Sequence, residues 1–142
     1  MIRLSGTERV FISKDLIGFA DRLTEENTIA IRLDLLMLGF GYAIKNRLLP
    51  ADQFAKHELV RAQSLGDRSL AYEIAANWYA GELGLLEEID DGNALIDFIC
   101  RLGITGVRAL QKQWEFTGKS QIQWHIMQLG SNDLDNELVT VD

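Results

Sequence analysis

Between Ser69 and Cys100 the chain carries no lysine or arginine, while seven of its acids fall there. That stretch cannot grip a polyanion, so any positive surface must be built elsewhere. There is one cysteine, Cys100. A disulfide within the chain is therefore excluded, and a reducing, cytoplasmic setting is expected. Cys100 closes the apolar run LIDFIC, which reads as a packed thiol rather than a nucleophile. Histidine is equally scarce, with only His57 and His125. His57–Glu58 opens like a zinc HExxH motif, but the position of its second histidine holds Arg61, so the two imidazoles the metal needs are missing. No GxSxG elbow is present. Glu87, Glu88, Asp90 and Asp91 lack the oxygen-ligand spacing of a calcium loop. They precede a helix start, where negative charge is favoured anyway. These absences lead to an expectation of no catalytic residues, no metal and no cofactor.

Long hydrophobic runs are also lacking. The longest, Ile29 to Ile44, has 16 residues and contains Arg32 and Asp34, against the roughly 20 apolar residues a membrane helix needs. It reads as a buried core helix, and no membrane association is expected. The first residues, MIRLSGTERVFISKD, alternate charge with apolar side chains and do not read as a secretory leader.

A length of 142 residues points to one domain. Such a chain buries about two thirds of its unfolded surface and needs no staple. Residues 3–12 could form a short strand or an extended arm, with Val10, Phe11 and Ile12 as its β-favouring residues. Leu16, Ile17, Ala20 and Leu23 repeat at helical spacing, so residues 14–24 predict an amphipathic helix opening after Ser13. A second helix, about 28–48, is apolar nearly all round and should be central. Its Gly39 and Gly41 suggest close approach of another helix, and Pro50 is expected to end it. Residues 51–69 read as a helical turn or two. Helices are then expected from Leu70 to Leu83, over ALIDFICRL up to a stop at Gly103, and from Thr105 to Phe116. IQWHIMQL could add a final turn. The expected fold is all-α: a compact single-domain bundle of five or six helices around the central one. Residues 1–127 would form the helical domain and 128–142 an acidic tail.

Net charge is −7, but it is unevenly spread. Residues 28–68 carry +2 and residues 101–119 carry +3, around a segment 69–100 that carries −7. A local phosphate-binding face needs only charges within a Debye length, about 8 Å in physiological salt. The candidate nucleic-acid contacts are Lys45, Arg47, Lys56, Arg61 and Arg68, with Arg101, Arg108 and Lys112 as possible additions. Arginine suits this role because its planar guanidinium donates in pairs.

Some of these residues also carry a family resemblance. An apolar helix closing in LLP is followed by a block formed by Glu58, Arg61, Ser64, Leu65 and Gly66. A late helix brings Arg101, Gly103, Ile104 and Val107, with Leu102 as one extra residue between Arg101 and Gly103. This order, over about residues 13–112, resembles the DNA sulfur-modification protein DndE family. The resemblance implies a compact helical, noncatalytic DNA-binding oligomer that works beside the bacterial phosphorothioation machinery and associates with nicked duplex. Its partners would be DNA, other proteins of the same modification or phage-defence system, and further copies of itself. A different reading rests on charge alone. The acidic segment 73–97 would dock a basic protein, making the chain an adaptor or complex subunit, with Trp78, Tyr79, Trp114 and Trp124 as candidate anchors.

Overall fold

The computed structural model describes residues 1–117, with side chains up to residue 114. The expected final turn over 122–129, the tail at 128–142, Trp124 and His125 lie outside the described residues. Strand β1 (Arg9–Ser13) runs through a short 3-10 turn into α1 (Ile17–Glu25) and then α2 (Arg32–Lys45). Strand β2 (Lys56–Arg61) follows, then two 3-10 turns on either side of Gly66, α3 (Ser69–Glu82) and α4 (Gly92–Thr117).

This architecture corrects the all-α expectation. The fold is mixed, with four α-helices and an antiparallel pair of strands among the described residues. The residues expected to make helical turns at 56–61 instead pair with β1, from Arg9 opposite Arg61 to Ser13 opposite Lys56. A strand is stabilised by its partner across the ladder, and that partner lies 43 positions away at Ser13–Lys56 and 52 at Arg9–Arg61, so local periodicity carries little of the signal. The helix count falls for a second reason. The two late helices expected on either side of Gly103 are one 26-residue helix, α4, about 39 Å long at 1.5 Å per residue.

Gly103 is not a stop but part of a crossing. α2 packs more extensively against α4 than against any other element. A Cβ on Gly103 would run into Leu36, one on Gly39 into the Gly103 carbonyl and Val107, and one on Gly106 into the Gly39 backbone. The three glycines thus let the two helix backbones touch. Gly41, by contrast, has open space where a Cβ would stand.

α2 is the central element, with Leu33, Leu35, Leu36, Met37, Phe40 and Ala43 buried. It is shorter than expected at both ends. Its start is set by Asp34, whose carboxylate accepts from the Ile31 amide at 3.2 Å. Its end is set by Arg47, which adopts φ 56°, so that the Leu48 amide bonds the Ala43 carbonyl (2.8 Å) and the Arg47 amide the Ile44 carbonyl (3.2 Å). This is a Schellman turn, closed before Pro50 is reached. The chain then passes over α4, where Arg101 donates to the carbonyls of Ala51 (3.0 Å) and Asp52. Tyr79 from α3 is fully buried and donates to the Leu48 carbonyl at 2.6 Å. Trp114 packs edge-on against Phe19, with ring centroids 5.9 Å apart.

The N-terminal segment is tied down by a buried acid. Glu73 on α3 accepts from the Leu4 amide (2.6 Å), Arg3 Nε (2.9 Å) and the Ser69 hydroxyl (3.0 Å). No helix among the described residues is long and apolar enough to cross a membrane.

Candidate nucleic-acid interface

The surface that gathers positive charge is the ribbon made by β1 and β2. Strand alternation alone would separate Lys56 from Arg61, since five residues is an odd number of steps. The register removes that problem. Val10 faces Val60 but the next residue, Phe11, faces Glu58, so β2 carries one extra residue, Leu59. A bulge of this kind shifts the alternation by one. It brings Lys56, Glu58 and Arg61 to the face of Arg9 and Phe11, while Val10 and Ile12 turn into the core at 0% exposure.

That face forms one wall of an open groove of about 510 Å³. Arg9, Lys56 and Arg61 line it with Phe11 and Phe54, and the first half of α4 supplies Asn93, Asp97 and Cys100 opposite. The Lys56 ammonium lies 5.1 Å over the Phe11 ring, a contact that orients the cation without neutralising it. Arg61 donates, among the described residues, only to the Thr7 carbonyl, at 3.3 Å. Among the described residues neither Lys56 nor Arg61 has a carboxylate within 4.0 Å, whereas Arg9 is paired with Glu58 at 3.4 Å.

Two acids also border the groove, and both are engaged. Burial pushes the Glu8 carboxyl up, but the amides of Ser5 and Gly6 and the Ser5 hydroxyl outweigh it and hold it below the usual carboxylate range. Asp97 is bonded to Arg101 Nε at 2.7 Å. The lining carries three cations against two carboxylates; Glu58, on the same face, offsets Arg9, so the positive character of the groove rests on Lys56 and Arg61.

The five expected contacts do not form one surface. Lys56 and Arg61 share the groove. Lys45 and Arg47 sit at the C-terminal end of α2, with the Arg47 guanidinium 5.8 Å over Trp78. Arg68 is exposed just before α3. None of these three lines the groove. Of the possible additions, Arg101 is committed to Asp97 and to two carbonyls, and Arg108 to Asp15 and Ser13. Arg9 is the groove residue that sequence reasoning missed. Its position two residues before Phe11 in a predicted strand was the available signal.

Cys100 lies at the inner wall, where the Phe11 amide donates to its sulfur at 3.4 Å. Burial is the main cause that pushes this thiol up to about 12. It stays protonated at neutral pH and is unsuited to nucleophilic attack. A second cleft, about 380 Å³, lies beside Asp21, Arg32 and Val60. The Asp21 and Arg32 charges are paired with each other. Arg32 bonds Asp21 through Nε (2.8 Å) and Nη2 (3.1 Å) and donates to His57 Nε2 at 3.3 Å. His57 and Arg61 stand on a strand, so the helical spacing of a zinc HExxH motif does not arise. No group of three His, Cys, Asp or Glu suited to a metal ion occurs among the described residues.

The acidic segment is less uniform than its sequence. Glu73 is buried and bonded within the fold, and Asp97 belongs to Arg101. Glu87, Glu88, Asp90 and Asp91 are exposed, and Asp91 also caps α4 by accepting from the Ala94 amide at 2.8 Å. Of the aromatic anchors considered, Tyr79 is fully buried and Trp78 is 51% exposed. No family model, curated protein or solved structure matches the chain.

Proposed function

We propose that this protein is a noncatalytic DNA-binding accessory of a bacterial DNA phosphorothioation or related phage-defence system, holding backbone phosphates on its β1–β2 ribbon. The observation that carries this reading is the convergence of Arg9, Lys56 and Arg61 on one exposed face, with no carboxylate within 4.0 Å of Lys56 or Arg61 among the described residues. The link to sulfur modification rests on the DndE resemblance, whose block begins on β2 with Glu58 and Arg61 and continues through Ser64, Leu65 and Gly66 into the 3-10 turns. Phe11 and Phe54 add flat apolar surface beside the cations, which suits the sugar–phosphate edge of a strand. Three phosphate contacts would give a log–log salt slope of about −2.7 on duplex. Binding by one chain is therefore weak at physiological salt, and several copies on one duplex would raise it through avidity.

The test is a fluorescence-polarisation titration of intact and nicked duplex at low salt. Lys56→Glu with Arg61→Glu should weaken binding at least tenfold and flatten the salt slope. Unchanged affinity in the double variant sinks the assignment.

The alternative, a protein adaptor, is favoured by one observation: Glu87, Glu88, Asp90 and Asp91 stand exposed together between α3 and α4. Capture of a single basic protein from nuclease-treated lysate, lost when these four are neutralised, would support it over the DNA reading.

A further inference from the structure

We propose that the exposed face of α3 is a self-association surface, on which two copies of this chain pair antiparallel about a two-fold axis at Ile74. The starting point is an apolar stripe that the described residues leave uncovered. Leu70, Ile74 and Trp78 are 45%, 50% and 51% exposed. Spaced four apart, they form one ridge about 12 Å long. The opposite face of the helix is consumed by the core, through Glu73, Ala76, Tyr79 and Ala80. The ridge is thus an unpartnered second face rather than a poorly packed first one.

The charges at its two ends select a second copy as the occupant. Arg68 is exposed at the N-terminal end and Glu82 at the C-terminal end, and neither has an ion-pair partner among the described residues. In an antiparallel pair centred on Ile74, Arg68 of each copy comes within a helical turn of Glu82 of the other. The contact is made twice, as a closed two-fold interface requires. A parallel pair would instead set Arg68 against Arg68. Antiparallel helices also oppose their dipoles favourably.

Packing agrees with the same register. Leu70 and Trp78 are each four residues from Ile74, so each Leu70 meets Trp78 of the second copy. Trp78 is braced from behind by the Arg47 guanidinium at 5.8 Å, which makes it a pre-ordered anchor. Gly81, beyond it, has nothing within 4 Å of where a Cβ would stand, so the helix ends can approach closely. Arg68, expected from the sequence to contact phosphate, serves the interface in this arrangement. The inference does not depend on DNA binding, because Arg9, Lys56 and Arg61 are carried by β1 and β2 and not by α3.

The experiment is sedimentation equilibrium of the full chain over a wide concentration range. Wild type should approach twice the 16.0 kDa chain mass. Ile74→Asp should raise the dimer dissociation constant at least a hundredfold while leaving the far-UV spectrum unchanged. Arg68→Glu and Glu82→Arg should each weaken the dimer several-fold, and the double exchange should restore it. A chain monomeric at every concentration overturns the proposal, as does a dimer indifferent to Ile74→Asp or a double exchange that fails to rescue. If the monomer is destabilised by Ile74→Asp, the face is covered from within its own chain, and the pairing is likewise wrong.

Discussion

Arg9 and Arg61 stand directly opposite each other across the β1–β2 pair. Like charges in that position repel, and the cost is typically a few tenths of a kcal/mol to about 1 kcal/mol. Glu58 relieves Arg9 at 3.4 Å, but among the described residues Arg61 is left with a single carbonyl. The ribbon therefore holds more positive charge than its own stability favours.

Reversing one of the two charges should separate stability from binding. Arg61→Glu creates a cross-strand pair with Arg9 and should raise unfolding stability by about 0.5 kcal/mol in urea. The same change should cut DNA affinity about tenfold or more at low salt. A variant that gains stability and keeps its affinity would show that the ribbon does not face DNA.

The glycines of α2 and α4 should respond in opposite directions. Gly106→Ala drives a methyl into the Gly39 backbone. Neither backbone can yield without parting the helices, so the cost should be about 3 kcal/mol or more. Gly41→Ala meets nothing within 4 Å and should stabilise the chain by about 0.5–1 kcal/mol through helix propensity. Thermal melts of the two variants would check this. Equal effects would mean that α2 and α4 do not cross at these residues.

The same glycines show why part of the fold was legible in the sequence and part was not. Helical spacing at Leu16, Ala20 and Leu23 exposed α1, and the all-round apolarity of 33–43 exposed the central helix. A glycine that ends a helix and one that admits a neighbour look alike in sequence, however, so Gly103 split α4 in two. Strand β2 was hidden by its bulge. Leu59 and Val60 are adjacent and both half-buried, which breaks the alternation that marks a strand. For the candidate site, charge identified Lys56 and Arg61. Only the pairing register could add Arg9, and only the positions of the helix ends could set Lys45, Arg47 and Arg68 apart.

Acid should loosen the attachment of the N-terminal segment. Burial alone would push the Glu73 carboxyl up, but the Leu4 amide, Arg3 and Ser69 outweigh it and hold the group below its ordinary value of 4.5. Glu8 is lowered in the same sense. A depressed folded value means that the unfolded chain binds more protons in that window, so stability rises with pH there. The contribution is complete well above pH 4.5. It is lost as pH falls through the folded-state values. Glu73→Ala should cost about 1–3 kcal/mol at neutral pH, because it leaves the half-buried Leu4 amide without its acceptor. It should also flatten the acid limb of a stability–pH curve. An unchanged acid limb would place the proton uptake elsewhere.

Arg47 closes α2 in a conformation that suits glycine, at φ 56°. Holding a side chain there costs roughly 1 kcal/mol, and the stack over Trp78 returns about 0.5–1 kcal/mol of it. Arg47→Gly gives up the stack and the strain together, so its stability should stay within about 0.5 kcal/mol of wild type. Arg47→Ala gives up the stack and keeps the strain, and should lose about 0.5–1 kcal/mol. Glycine would thus be the better replacement, the reverse of its rank inside a helix. Urea denaturation of the pair measures the order directly, and an alanine variant as stable as the glycine variant would mean that the left-handed turn at residue 47 is not what ends the helix.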